Sequence, residues 1–307
     1  SIKGSSTRLR LKKDYIMDLL KTQIAKDAYS KGNNITHALK GKTPAPNTPE
    51  IVAIAHDLQA GNMPTYSTKM LNDRAEEIAM AINDYLMDDS TLLDVGTGEM
   101  LMLDLIMYKL EYPCREVFAS DLSWSRLQKS WSAHLSATKF VCDNVEIPLP
   151  TKSIDIIMCD NVMMYEQETR VTDVINELFR VSNGYVVFVE PSYELSNAEG
   201  RERMLEHSYL HEHILKLNIE ALDGEIIHSV VLKNNYKDIM PNQIWVVKVP
   251  ETNYISNWPE ATVPGTDYPL NGDLFSKDLL VSFPRIDGIP ILLNDKAVLT
   301  SSRDKSL

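Results

Sequence analysis

The 307-residue sequence predicts an α/β fold: a doubly wound, mostly parallel sheet of seven strands, preceded by helices and followed by a small β appendage. Three observations predict it. From residue 91 to 190 short apolar runs alternate with stretches of helical periodicity, which calls for parallel pairing through right-handed crossovers. The stretch LLDVGTGEM (92–100) runs from an apolar strand straight into two glycines, the turn expected at the carboxyl end of the first, central strand of such a sheet. EIIHSVVLKN and QIWVVKV have only a short loop between them, so they pair antiparallel near the edge.

Taken in order, residues 14 to 30 read as an amphipathic helix and KGNNITHALKGKTPAPNTPE as an exposed connection. Thr48 caps a helix beginning at Pro49, with EIVAIAHDLQ as its body. Residues 67 to 87 form a longer helix. Strands are expected at 91–95, 115–120, 138–142, 154–159, 184–190, 225–233 and 243–249, with helices at 99–110, 123–135 and 166–181 between the first five. After residue 250, ETNYISNWPEATVPGTDYPLNGD should cross the surface without regular structure. DLLVSFPRIDGIPILLNDKAVL, with short apolar runs broken by a turn, is the β appendage. The division is therefore an N-terminal helical lid region (1–66), the sheet domain (67–250), and a linker with its appendage (251–307).

Bulk properties narrow the function. There is no apolar run long enough to span a membrane, and the basic N-terminus lacks the apolar core of a signal peptide. Cys114, Cys142 and Cys159 are scattered, with no metal spacing, which fits a reducing cytoplasm. A net charge of -12 argues against a nucleic-acid track, because neutralising phosphates needs clustered Lys and Arg. A small-molecule partner is expected, no membrane, and a homo-oligomer is left open.

The glycine loop is the informative motif. Gly96 and Gly98 let backbone approach a ligand, with a helix N-terminus behind them. Leu101 stands where a dinucleotide site would carry its third glycine, and no Gly-Lys-Ser/Thr follows, so neither a nicotinamide site nor a P-loop fits. Asp94 would repel a pyrophosphate but suits an amino group or a positive charge, and the methionine part of S-adenosylmethionine offers both. Asp121, closing the second strand in VFASDLS, is placed to accept ribose hydroxyls; NAD sites use the same geometry. Asp143 follows KFVC within reach of an adenine amino group, and Asp160 and Asn161 end the fourth strand, where the chain passes under the ligand.

In order and spacing, LLDVGTGEM, VFASDLS, FVCDNVEIPLPTKSIDIIMCDNVMMY and INELFRVSNGYVVFVEPS resemble the class I S-adenosylmethionine-dependent methyltransferases, over residues 67 to 250. The likeness is to the group acting on small molecules, and it implies a Rossmann-like fold with S-adenosylmethionine as cofactor and S-adenosylhomocysteine as product. It also implies that Asp94, Gly96, Thr97 and Gly98 line the methionine end, and Asp121 with Leu122 the ribose. Asp143 and Asn144 would take the adenine edge, Asp160 and Asn161 the floor. The family's third glycine is Met100 here, and its late "GG" turn is Ser182-Asn183-Gly184-Tyr185. A shorter stretch, FPRIDGIPILLNDKAVL, resembles the end of the small zinc-ribbon domains that activate tRNA and protein methyltransferases. No cysteine follows Cys159, so no zinc site is expected in it.

Candidate chemistry lies beyond the strands. Methyl transfer is an in-line displacement in which positioning carries much of the rate, with a general base assisting a hydroxyl acceptor. Tyr165 follows the fourth strand, where it either faces the acceptor or packs as a core aromatic. Glu190, in EPSYE after the fifth strand, either orients substrate as a base or caps a loop. In RMLEHSYLHEHILKL, read as one helix, His207 and His211 share a face, where a histidine acts as general base; the spacing could also hold a metal with a third group, but no metal is expected. The expected activity is methyl transfer to an oxygen or nitrogen of a small biosynthetic acceptor such as a sugar or other secondary metabolite. The rival readings are a tRNA or protein methyltransferase and a non-catalytic cofactor-binding scaffold.

Overall fold

The computed structural model describes residues 20–41, 47–62, 66–130, 135–252 and 260–303. A strand covered on both faces needs apolar side chains throughout rather than alternation. TLLDV (Thr91–Val95, β1) satisfies this, with all five residues buried. It lies between β2 (Glu116–Asp121) and β4 (Ile154–Asp160), parallel to both. With β3 (Thr138–Val141), β5 (Ser182–Pro191), β6 (Glu225–Val231) and β7 (Asn242–Lys248), the seven strands run in the order β3-β2-β1-β4-β5-β7-β6. β7 is inserted between β5 and β6 and is antiparallel to both, as the short loop required. The switch point falls between β1 and β4, at whose carboxyl ends ligands bind in such sheets.

Helices cover both faces. Leu92, Ile156 and Ile244 point to the side of α4 (Thr68–Ile82) and α5 (Leu101–Lys109), where Ile78, Ile82, Leu103 and Ile106 meet them. Leu93, Ile157 and Trp245 point to the other side, against Val174, Leu178 and Ile219 of α7 (Glu168–Val181) and α9 (Glu212–Ala221). α6 (Trp124–Gln128) follows β2, and α8 (Ala198–His207) follows β5. Ahead of the sheet stand α1 (20–30), α2 (Ile35–Lys40) and α3 (Pro49–Gln59), which share a small core of Ala25, Ile35 and Ala55. Thr48 caps α3 by accepting from Ile51 N at 3.3 Å, with Pro49 at the first position.

Several boundaries differ from the sequence reading. Residues 14–19 of the first expected helix lie outside the described residues. The helix expected at 99–110 starts at Leu101, because Met100 is left-handed at φ 63°. That expected at 123–135 ends at Gln128, with 131–134 outside the described residues. RMLEHSYLHEHILKL is not one helix. α8 stops at His207, Ser208 is left-handed at φ 53°, and His211 is the N-cap of α9. Buried Leu210 donates its N–H to Met164 O at 2.9 Å, and this tie to the β4 loop outweighs the helical periodicity.

The segment after residue 260 is not merely superficial. Val263 and Leu270 enter the main core, and Thr262 N and Gly265 N donate to Pro148 O and Ile147 O. The appendage has a three-stranded sheet of β8 (Phe275–Ser276), β9 (Val281–Ser282) and β12 (Val298–Leu299). A hairpin of β10 (Arg285–Ile286) and β11 (Ile289–Pro290) turns at Asp287-Gly288, both at positive φ, the chemistry of a two-residue hairpin turn. Ile291 bridges to Val141, and Ile289 and Ile291 pack with Leu127, so the appendage docks on the β3 edge.

Candidate functional site

β1 runs into the loop at Gly96 (φ 68°) and Gly98 (φ 60°), where a side chain would be both strained and obstructed. A Cβ at Gly96 would sit 2.5 Å from Val162 Cγ2, and one at Gly98 2.3 Å from the Arg126 guanidinium. Thr97 N ties the loop to the neighbouring strand by donating to Ser120 O at 2.9 Å. Met100, where the family pattern has its third glycine, is itself left-handed at φ 63°. That conformation costs about 1–2 kcal/mol in a non-glycine residue. Burial of the Met100 side chain, 2% exposed against the α5 core, offsets it.

Four carboxylates mark the ends of four strands. Asp94 is buried and its carboxyl is pushed up to about 8, chiefly by burial. The Thr97 side chain opposes that rise, while the charges of Asp160 and Asp121 add to it. Asp121 is fixed by two backbone donors, Gly98 N to Oδ2 and Ser123 N to Oδ1, both at 2.8 Å. Each oxygen keeps a second lone pair, and half-buried Leu122 follows it. Asp143 Oδ1 is held by Arg170 Nη2 at 2.5 Å, and Asn144 Nδ2 reaches Glu166 Oε1 at 3.4 Å. Arg170 also holds Glu166, so Asp143, Asn144 and Glu166 form one network at the end of β3.

Asp160 and Asn161 are engaged from below. Arg74, fully buried in α4, donates Nη2 to Asp160 Oδ1 at 2.5 Å and lies 4.4 Å over the Tyr236 ring. Asn161, left-handed at φ 55°, donates to Asp160 and accepts from Asn242 Nδ2 at 2.8 Å. These contacts fix the end of β4, with Arg74 and Asn242 buried beneath it. Nothing in TKMLNDRAEEIAMAI signalled Arg74, since an arginine among acids on a helix reads as a solvated face.

Of the catalytic candidates, Glu190 takes the capping geometry. Its Oε1 accepts from Val162 N at 2.9 Å and Met163 N at 2.8 Å, and Oε2 from Met164 N at 3.1 Å. Burial pushes its carboxyl up to about 8 against those three donors. Tyr165, next along that segment, stands edge-on to Tyr209 at 5.4 Å and to His56 at 5.0 Å, its phenol raised well above the usual range by burial first and then by Tyr209. His207 and His211 do not share a helix face. His207 lies near His37 and Tyr209, whereas His211 stacks on Tyr193 at 4.2 Å. Among the described residues no group of three His, Cys, Asp or Glu is arranged to hold a metal.

His56, on α3, escaped the sequence reading. Burial foremost, then Arg126, pushes it down to about 4, while Asp121 works the other way. It comes from the N-terminal region, which is fastened across the loop. Asp57 Oδ1 accepts from Ser123 Oγ and Ser125 N at 3.0 Å, Glu99 Oε1 accepts from Gly61 N at 2.7 Å, and Lys129 Nζ donates to Ala60 O at 2.6 Å.

Residues 93–188, which span β1, the glycine loop and the four carboxylates, match the model of the family described as "Methyltransferase domain". This stretch is similar in sequence to a methyltransferase domain. Its fold is that of the class I S-adenosylmethionine-dependent methyltransferases. Among solved structures, the chain is similar to magnesium protoporphyrin IX methyltransferase from Synechocystis PCC 6803 with bound S-adenosylmethionine. That likeness has 9% identity over 68% of this chain and 100% of that one, at a TM-score of 0.50. It is similar also to the cyclase SpnF, with 14% identity over 68% of this chain and 98% of that one, at a TM-score of 0.52. No curated protein matches. No described helix is long and apolar enough to cross a membrane.

Proposed function

We propose that the protein transfers a methyl group from S-adenosylmethionine to an oxygen or nitrogen of a small-molecule acceptor. The observation that carries the reading is Asp94. A buried carboxyl beside two bare glycines, raised by burial and by neighbouring carboxylates, is a site short of one positive charge. The residues present fit the cofactor. Asp94 would hold its cationic methionine end, Asp121 its ribose hydroxyls through the lone pairs left over, and Asp143 with Asn144 its adenine edge. The Arg126 guanidinium over Gly98 is the flexible end of a long side chain, so it can yield where backbone could not. When bound, S-adenosylmethionine supplies an electrophilic sulfonium methyl.

The chain's own contributions are positioning, exclusion of water and handling of one proton. The ties from Asp57, Glu99 and Lys129 lay the lid helix α3 over the loop and shield the site. Glu190 is a positioning residue, because it fixes Val162 to Met164 and so places Tyr165. Tyr165 stays a neutral phenol and can orient an acceptor by hydrogen bonding. His56 stays neutral near pH 7, as an acceptor of the proton a hydroxyl or amine gives up must be.

The test is to incubate the protein with methyl-labelled cofactor and a cell extract split into small molecules, RNA and protein. Label entering the small-molecule fraction is the expected result. Label confined to RNA or protein would overturn the acceptor class, and label in no fraction would favour a binding scaffold.

A further inference from the structure

A group of basic side chains gathers where α8 meets the N-terminal helices. Arg203 of α8 hydrogen-bonds through its guanidinium to the Tyr209 side chain and acts electrostatically on Tyr66 and His207. Its Nε is buried with no hydrogen-bond partner, and among the described residues Arg203 forms no ion pair. His207, 8% exposed, is pushed down to about 4, by burial first and then by Arg203, His37, Lys40 and Lys237. Lys40 Nζ itself donates to His207 O at 3.2 Å. The acids nearest along the chain to Arg203 and Lys237, namely Glu202, Glu206 and Asp238, are exposed to solvent.

Such a concentration of unneutralised cations is out of keeping with a chain of net charge -12. Partly desolvated, an unpaired guanidinium is costly until an anion meets it, and its planar fork matches carboxylate or phosphate. From the same place a series of rings in contact runs toward the glycine loop. Tyr66 lies 4.8 Å from Tyr236, Tyr209 5.4 Å from Tyr165, and Tyr165 5.0 Å from His56, which senses Asp121. A row of aromatic side chains thus connects the surroundings of Arg203 to the loop end of the sheet.

We propose that the acceptor is an anion with a flat or apolar body, whose carboxylate or phosphate is bound by Arg203 and whose body lies along Tyr66, Tyr209 and Tyr165. The proposal rests on the methyltransferase reading for the word acceptor, and on the side-chain cluster alone for the anion. It makes Arg203 a specificity-determining residue, with Lys40 and Lys237 adding long-range attraction.

Benzoate and phenyl phosphate are suitable probes, with benzamide and phenol as uncharged counterparts. Each is titrated at pH 7 into the full chain while the ring signals of His207 and His37 are followed by NMR. At least one anionic probe should bind tenfold or more tightly than its uncharged counterpart, and which one does so names the anion. Arg203→Gln should abolish that preference and Arg203→Lys keep part of it, while S-adenosylhomocysteine binds both variants as it binds wild type. Equal binding of charged and uncharged probes by wild type overturns the proposal, as does a preference that survives Arg203→Gln. An intact anion preference in a protein that binds no S-adenosylhomocysteine would remove the methyltransferase reading and leave the anion site in place.

Discussion

With its carboxyl pushed up to about 8, Asp94 is almost wholly protonated at pH 6.5 in the cofactor-free protein. A cationic ligand needs the ionised form, so binding at that pH should expel close to one proton. The ligand's own α-amino group is already charged at pH 6.5, with an ordinary value of about 7.7–8.0, so it takes up little in return. Affinity should then rise about tenfold per unit between pH 6 and pH 7 and level off above about pH 8. The assay is calorimetric titration of S-adenosylmethionine at pH 6.5 in two buffers of different ionisation enthalpy, with Asp94→Asn as the control. The apparent enthalpies should differ by about the difference between the buffers for wild type and coincide for the variant. Equal enthalpies in both buffers for wild type, with affinity flat from pH 6 to 8, would refute the placement of the positive charge at Asp94.

The same group governs stability without ligand. Its folded value lies above the unfolded one, so its contribution falls as pH rises from about 4 to about 8. In urea unfolding Asp94→Asn should therefore be more stable than wild type at pH 8.5, by on the order of a few kcal/mol, with the gap closing toward pH 4. Arg74→Met leaves Asp160 buried beside no cation and should cost about 3–5 kcal/mol in urea unfolding, with Arg74→Lys a poor rescue. At Met100 the order of stability should be wild type, then Met100→Gly, then Met100→Ala. Both variants lose the buried side chain, but only glycine relieves the left-handed backbone, by about 1 kcal/mol. Glu190→Gln should lower kcat while leaving the pH profile of kcat unchanged, and a lost basic limb would instead make Glu190 the base.

The sheet was legible because its signals are local. Uninterrupted apolar strands, a glycine turn after the first, and a short loop before the last are each written within a dozen residues. The four carboxylates were legible as a group for the same reason, since each lies at or just past the end of a strand. What the sequence hid depends on contacts between distant segments. Ser208 breaks an otherwise helical pattern because Leu210 is tied to Met164, and that break separates His207 from His211. Arg74 looks like surface until Asp160, 86 residues away, is beside it. His56 sits in a helix with no motif of its own, and only the packing of α3 across α6 brings it to Asp121 and Tyr165. Glu190 could cap or catalyse by sequence, and the three amides that decide its geometry come from another loop.

Cofactor binding by the glycine loop and its carboxylates underlies every role proposed above. Calorimetric titration of S-adenosylhomocysteine into wild type and Asp121→Ala, at pH 8, tests it most directly. Saturable binding by wild type that is lost or weakened at least tenfold in Asp121→Ala is the predicted result. Absence of saturable binding by a folded wild-type protein, or equal affinity in the variant, would contradict it.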